Sequence, residues 1–112
     1  MEVRLCGIDA PEKTQALGIE SRDHLRRLIA QGEGRITLVE IDTDRYGYRV
    51  AEAFVQTGDG EEEIYLNGQM VADGMAYVFP QFIGSCSNGT SITAAERAAE
   101  SSSVGLWADP KL

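Results

Sequence analysis

Two alternating segments meet across a short connection: RITLVEI at 35–41 and YRVAEAFV at 48–55, joined by DTDRYG at 42–47. A period of two puts successive side chains on opposite faces, so each segment reads as a strand with one buried face. Gly47 is free to take a positive φ, which suits a tight antiparallel hairpin. A hairpin at the centre of the chain must bury one face against something. The other segments are therefore read for what covers it.

Residues 2–8 read as another strand, with Val3 and Leu5 on one face and Arg4 on the other. Pro11 holds Ala10 extended and ends that strand. Residues 17–30 read as a helix whose stripe is Leu17, Ser21, Leu25, Leu28 and Ile29, with Gly32 and Gly34 closing it. TGDGE at 57–61 makes a second turn before a short strand at 64–66. Asn67 is expected to cap a short helix through Asp73, closed by Gly74. Residues 75–79, MAYVF, read as a last strand, and 80–91 as a Gly/Ser/Asn loop. Thr93 and Glu96 have capping-box spacing, so the final helix is expected to begin there and run to about Ser101. There is no repeat and no linker. With 112 residues and 43% hydrophobic content, the chain suits one domain over 1–112. The class is α+β, with a small antiparallel sheet or barrel. A closed barrel needs about five strands, and only four or five are visible, so one edge is expected to be open.

Charge narrows the choice of partner. Lys+Arg is 10 and Asp+Glu 18, a net charge of −8. Indiscriminate polyanion binding rests on many basic contacts with phosphate and is disfavoured. A local basic spot, or a bound divalent cation, remains compatible with it. Glu61, Glu62 and Glu63 read as a solvated run. No stretch approaches the roughly 20 apolar residues of a membrane span, so no membrane association is expected. Residues 1–9 alternate and carry charge, unlike a signal peptide, which leaves a cytoplasmic and an exported protein both open. Cys6 and Cys86 lack metal-ligand spacing and read as free thiols; spacing does not decide whether they pair. His24 is the one histidine, which argues against a His-rich zinc site.

Two charged constellations carry possible chemistry. In RLCGIDAPE, residues 4–12, Asp9 leaves a strand just before a stiff X-Pro turn. Its carboxylate and the Ala10 carbonyl are oxygen donors of the kind calcium takes, or Asp9 simply caps the turn. Glu12 could orient or deprotonate a water attacking a phosphate. Arg4 could bind phosphate oxygens through two parallel hydrogen bonds. The plainer reading of these three is a surface ion-pair cluster worth about 0–1 kcal/mol. In the second constellation, Arg45 could meet a phosphate. Tyr46 at a hairpin tip could stack on a base, an interaction worth roughly 1–3 kcal/mol. An ordinary charged turn is the alternative.

VRLCGIDAPE, TDRYGYRVAEAFV, LNGQMVADGMAYV, AAERAAE and GLW follow one another in order. Together they resemble the staphylococcal nuclease-like (thermonuclease) family, from about residue 2 to residue 107. The resemblance implies an OB-fold with a five-stranded barrel and three helices. It also implies calcium-dependent cleavage of DNA or RNA phosphodiester bonds. It casts Arg4 as an arginine on the scissile phosphate, Asp9 and the Ala10 carbonyl as calcium ligands, and Glu12 as the group acting on water. Arg45 and Tyr46 are kept beside these as candidate substrate contacts on their own chemistry.

Two departures accompany it. The family pattern Asp-Arg-Tyr-Gly-Arg ends here in Tyr48, which joins the candidate substrate contacts, and Arg49 follows as the candidate second catalytic arginine on the phosphate. Alternation turns Arg49 away from the site unless a bulge realigns it. Losing such a cation typically lowers the rate about 10²–10³-fold. The family's first hairpin, with an Asp-Gly-Asp-Thr-like motif that supplies another calcium aspartate, precedes the point where this chain begins. The expectation is weak calcium binding and an open barrel edge that invites pairing with a second copy. The alternative to an enzyme is a catalytically impaired module that binds nucleic acid or protein.

Overall fold

The computed structural model describes residues 3–58, 60 and 62–108. The elements run β1 (Val3–Leu5), β2 (Ile8–Asp9), α1 (Gly18–Ala30), β3 (Thr37–Thr43), β4 (Arg49–Gln56), β5 (Glu63–Tyr65), α2 (Leu66–Ala72), β6 (Tyr77–Val78) and α3 (Gly89–Ser102). Single turns of 3₁₀-helix lie at Ile83–Ser85 and Gly105–Trp107. No helix among the described residues is long and apolar enough to cross a membrane.

The central hairpin forms as its alternation requires. β4 pairs antiparallel with β3 and β5 and parallel with β1. Ala51, Ala53 and Val55 are buried on its inner face. Ala53 and Val55 meet Leu66, Met70 and Val71 of α2, Leu28 of α1, Ala76, and Ile92 of α3 in one core. Full burial of each larger aliphatic side chain contributes roughly 1.5–3 kcal/mol. α2 is short but lies at the centre of this core, so packing rather than propensity holds it helical.

The structure corrects several expectations. The strand expected over 2–8 is two strands in two sheets. Gly7 takes φ +77, a conformation that glycine adopts without steric cost, and turns the chain. β1 joins β4, whereas β2 joins β6 antiparallel. The larger sheet is consequently mixed rather than antiparallel. Its four strands and the two-stranded β2–β6 ribbon do not join into a closed five-stranded barrel among the described residues. The outer edge of β3 has no partner strand there, and Leu38 and Val39 of the strand, with Ile36 just before it, are exposed.

Asn67 does not cap α2. Tyr65 holds the cap position, and the buried Asn67 side chain turns to the sheet instead. Its Nδ2 donates to the carbonyls of Cys6 (3.0 Å) and Ala51 (3.2 Å), and its Oδ1 accepts from Ala53 N–H at 2.9 Å. The capping box is absent too. α3 begins at Gly89, four residues before Thr93, and Glu96 accepts the Val78 N–H at 2.6 Å, closing the end of β6. Both side chains found tertiary partners with unmet backbone groups, which sequence spacing does not reveal. The cysteines are not free: Cys6 and Cys86 form a disulfide. The Glu61 part of the acidic run lies outside the described residues; Glu62 and Glu63 are exposed, as expected.

Candidate active site

The β3–β4 turn is built by one aspartate. Asp44 Oδ1 accepts the N–H groups of Tyr46 (2.8 Å) and Tyr48 (3.0 Å). Its backbone N–H donates to the Tyr48 carbonyl at 2.8 Å, and Gly47, at φ +85, donates to the Asp44 carbonyl at 3.0 Å. This is an Asx-type turn, in which a short acidic side chain mimics backbone. The second oxygen, Oδ2, lies 3.5 Å from Nε of Arg4. The Arg4 guanidinium carbon sits 4.3 Å from the centre of the Tyr48 ring. The fold thus unites Arg4, from the first motif, with Asp44 and Tyr48 from the second. At the tip, the Arg45 guanidinium carbon lies 5.0 Å from the centre of the exposed Tyr46 ring.

Arg49 takes the opposite course. In the parallel β1–β4 register, Val3 pairs with Arg49 and Arg4 with Val50. Paired residues share a face, so Arg4 and Arg49 leave opposite faces of the sheet. A bulge does occur, between Glu40 and Asp42, but it lies in β3 and leaves the alternation of β4 unbroken. Arg49 Nη1 donates to Glu40 Oε1 at 2.7 Å.

Asp9 and Ala10 line a shallow hollow of about 190 Å³ with Pro11, Gln15, Ala16, Tyr77 and Leu106. Asp9 pairs in register with Tyr77 across β2–β6, and Tyr77 meets Trp107 edge-on with ring centroids 5.2 Å apart. Glu12 and Arg4 are not among the lining residues. The Glu12 backbone N–H donates to Gln15 Oε1 at 2.8 Å and its carbonyl accepts the Gln15 N–H at 2.8 Å. Its side chain stands exposed in the turn before α1. The structure therefore brings Asp9 and Ala10 together in one place and Arg4, Asp44 and Tyr48 in another, with Glu12 outside both sets.

No group of three or more His, Cys, Asp or Glu side chains suited to a metal occurs among the described residues. An exposed carboxylate followed by a backbone carbonyl is nevertheless an all-oxygen donor pair of the sort a hard cation accepts.

On the face of β4 opposite Ala51 and Ala53 lies a group that sequence reading passed over. Glu52 is buried, and its Oε2 accepts the Tyr65 hydroxyl and both the backbone and side-chain N–H groups of Asn88, each at 3.1 Å for the latter two. Burial raises the Tyr65 phenol well above its ordinary value of 10.0, and the hydrogen bond to Glu52 and the charge of that carboxylate raise it further. With the disulfide, this network fastens the loop before α3 to the sheet. A charged residue at an alternating strand position would normally be read as solvated, so only its buried partners reveal it. Asp44 was legible as a turn former. Its contact with Arg4, like the placement of Tyr77 beside Asp9, depends on strand pairings remote in sequence.

Comparison with known proteins agrees with the resemblance. Residues 2–109 match the family model described as staphylococcal nuclease homologue. An uncharacterized endonuclease of Haemophilus influenzae is 35% identical over 109 residues, covering 97% of this chain and 54% of that protein. Protein ParB of Escherichia coli is 34% identical, covering 98% of this chain and 62% of its own length. A micrococcal nuclease of Shigella flexneri is 33% identical, with 98% and 63% covered. The chain thus spans little more than half to under two thirds of these relatives. A family model matched over nearly every residue, together with the ordered motifs of β1, β2 and the β3–β4 turn, leads to one conclusion: the chain belongs to the staphylococcal nuclease homologue family.

Proposed function

We propose that this protein is a calcium-dependent nuclease that hydrolyses phosphodiester bonds of DNA or RNA, on the OB-fold that family membership implies. The observation that carries the reading is the Arg4 guanidinium. It stands on an exposed face with Nε beside Asp44, and its two terminal nitrogens make no hydrogen bond among the described residues. A planar fork left open in this way suits a phosphate, which it can grip through two parallel hydrogen bonds. Matches to proteins named as an endonuclease and a micrococcal nuclease support the same chemistry.

In this mechanism Arg4 binds the scissile phosphate and neutralises charge that grows on its oxygens during attack. Glu12, exposed and close in sequence to Asp9, orients a water and takes its proton. Asp9 and the Ala10 carbonyl would hold calcium, which when bound supplies a positive charge that polarises a phosphoryl oxygen. Arg45 and Tyr46 extend the contact, Arg45 toward a neighbouring phosphate and the exposed Tyr46 ring toward a base. Arg49, tied to Glu40 on the other face, contributes to the sheet rather than to the phosphate.

The test is cleavage of single-stranded DNA and of RNA across a calcium titration, with Glu12→Gln alongside. The expected result is activity that needs calcium and falls about 10²–10⁴-fold in Glu12→Gln. Activity indifferent to that substitution would refute the assignment of Glu12.

One observation favours a second reading, a module that binds nucleic acid without cutting it. Tyr48 stands where the family pattern places an arginine, and Arg49 is already paired with Glu40. Tight binding of single strands without cleavage at any calcium concentration would select that reading.

A further inference from the structure

We infer that Asp44 and Tyr48 are positioning residues for Arg4, so that the β3–β4 turn aims the guanidinium at phosphate. The inference rests on the nuclease reading for its catalytic consequence but not for its geometry. Arg4 extends from a strand of three residues, and its side chain is 57% exposed. An arginine so placed would sample many rotamers if nothing held it, and that freedom would have to be surrendered on the way to a transition state. Two contacts hold it. Asp44 Oδ2 meets Nε at 3.5 Å, and the Tyr48 ring faces the guanidinium at 4.3 Å.

These contacts are themselves anchored. The Asp44 oxygen that does not face Arg4 accepts two backbone N–H groups, one of them from Tyr48. Arg4, Asp44 and Tyr48 therefore form a closed circuit: carboxylate to guanidinium, guanidinium to ring, and the backbone of the ring residue back to the same carboxylate. With Nε occupied on one edge and one face covered by an aromatic ring, the terminal Nη1–Nη2 fork is the donor pair left to meet phosphate oxygens. The ring face makes this contact and the phenol hydroxyl does not, so phenylalanine should serve as well as tyrosine. On this account Tyr48 does not replace a missing second cation. It makes a single cation better aimed.

The test uses the full chain and the variants Tyr48→Phe, Tyr48→Leu, Tyr48→Ala and Asp44→Asn. Arginine Nε–Hε NMR spectra read the geometry directly, because a proton over an aromatic ring is shifted upfield. Arg4 resonances are expected upfield in the wild type and in Tyr48→Phe, and moved downfield in Tyr48→Leu and Tyr48→Ala. Asp44→Asn is expected to move them too. Calcium-dependent cleavage of single-stranded DNA reads the consequence: kcat falling about 10–100-fold in Tyr48→Leu and Tyr48→Ala with KM within about twofold, and most of the rate kept by Tyr48→Phe. An Arg4 resonance that ignores Tyr48→Leu would overturn the proposal. So would a rise in KM at unchanged kcat, which would make Tyr48 a substrate contact. If the protein cleaves no nucleic acid, the nuclease reading fails and the Arg4 spectra still decide the positioning.

Discussion

Cys6 and Cys86 are bonded to each other, and the bond fastens the β1–β2 junction to the loop that leads into α3. Both sulfurs are buried, beside Gly7 at the point where the chain leaves one sheet for the other. Asp9 follows three residues after Cys6.

Removing that bond releases a loop closed over a sequence separation of 80. Chain-entropy arguments put the resulting loss at about 4 kcal/mol. Urea unfolding with and without dithiothreitol, and of the Cys6→Ser/Cys86→Ser double variant, should show an unfolding free energy lower by about that amount, read from midpoint and slope together. Identical midpoints would mean that the bond contributes nothing to stability.

Asn67→Ala should destabilise the fold by roughly 3 kcal/mol, because it strips partners from Cys6, Ala51 and Ala53 backbone groups inside the core. Asn67→Asp keeps the acceptor for Ala53 but replaces a donor by negative charge facing two carbonyls, and should be at least as damaging. A melting temperature unchanged in both variants would contradict the assigned hydrogen bonds.

Tyr65 gives stability a dependence on alkaline pH. Its folded phenol holds the proton above the ordinary value of 10.0, whereas the unfolded chain gives it up near there. The contribution is fully present below about pH 10 and is lost as pH rises toward the folded value. Wild-type stability should fall more steeply above pH 10 than that of Tyr65→Phe, as read by denaturant midpoints at stepped pH. Parallel pH profiles would remove Tyr65 as the cause.

Asp9→Ala should raise the calcium concentration for half-maximal cleavage by at least about tenfold, since metal sites lose 10–100-fold in affinity even when only a supporting group is removed. The rate at saturating calcium should change less. The calcium titration of cleavage measures both, and an unmoved midpoint would place the cation elsewhere.

Among the described residues the outer edge of β3 has no partner strand, and Leu38 and Val39 are exposed on that strand. Such an edge is a template for another strand, so the chain should self-associate as concentration rises. Val39→Lys should suppress this. Sedimentation velocity across a concentration series measures it, and a wild type monomeric throughout would show the edge to be protected.

Much of the fold was legible from periodicity. The β3–β4 hairpin, α1 and the short α2 fall within a few residues of where alternation, an apolar stripe and a glycine stop place them. These signals are local: each depends on a few neighbouring side chains choosing water or core. The family was legible for a related reason, since the ordered motifs RLCGIDAPE, DRYG and GLW lie in one chain regardless of how it folds.

What tertiary structure alone decided was which local group met which distant one. Gly7 looked like one more strand residue, yet its left-handed conformation sends β1 and β2 to different sheets. Asn67 and Glu96 carry good capping side chains, but buried N–H and carbonyl groups elsewhere offered them partners that a helix end did not need to supply. Cys6 found Cys86 in the loop before α3, and Arg4 found Asp44 and Tyr48 because the parallel β1–β4 register lays the first motif against the hairpin turn. Periodicity reports how a residue divides between solvent and interior. It carries no information on pairing register, and register is what sets one side chain against another.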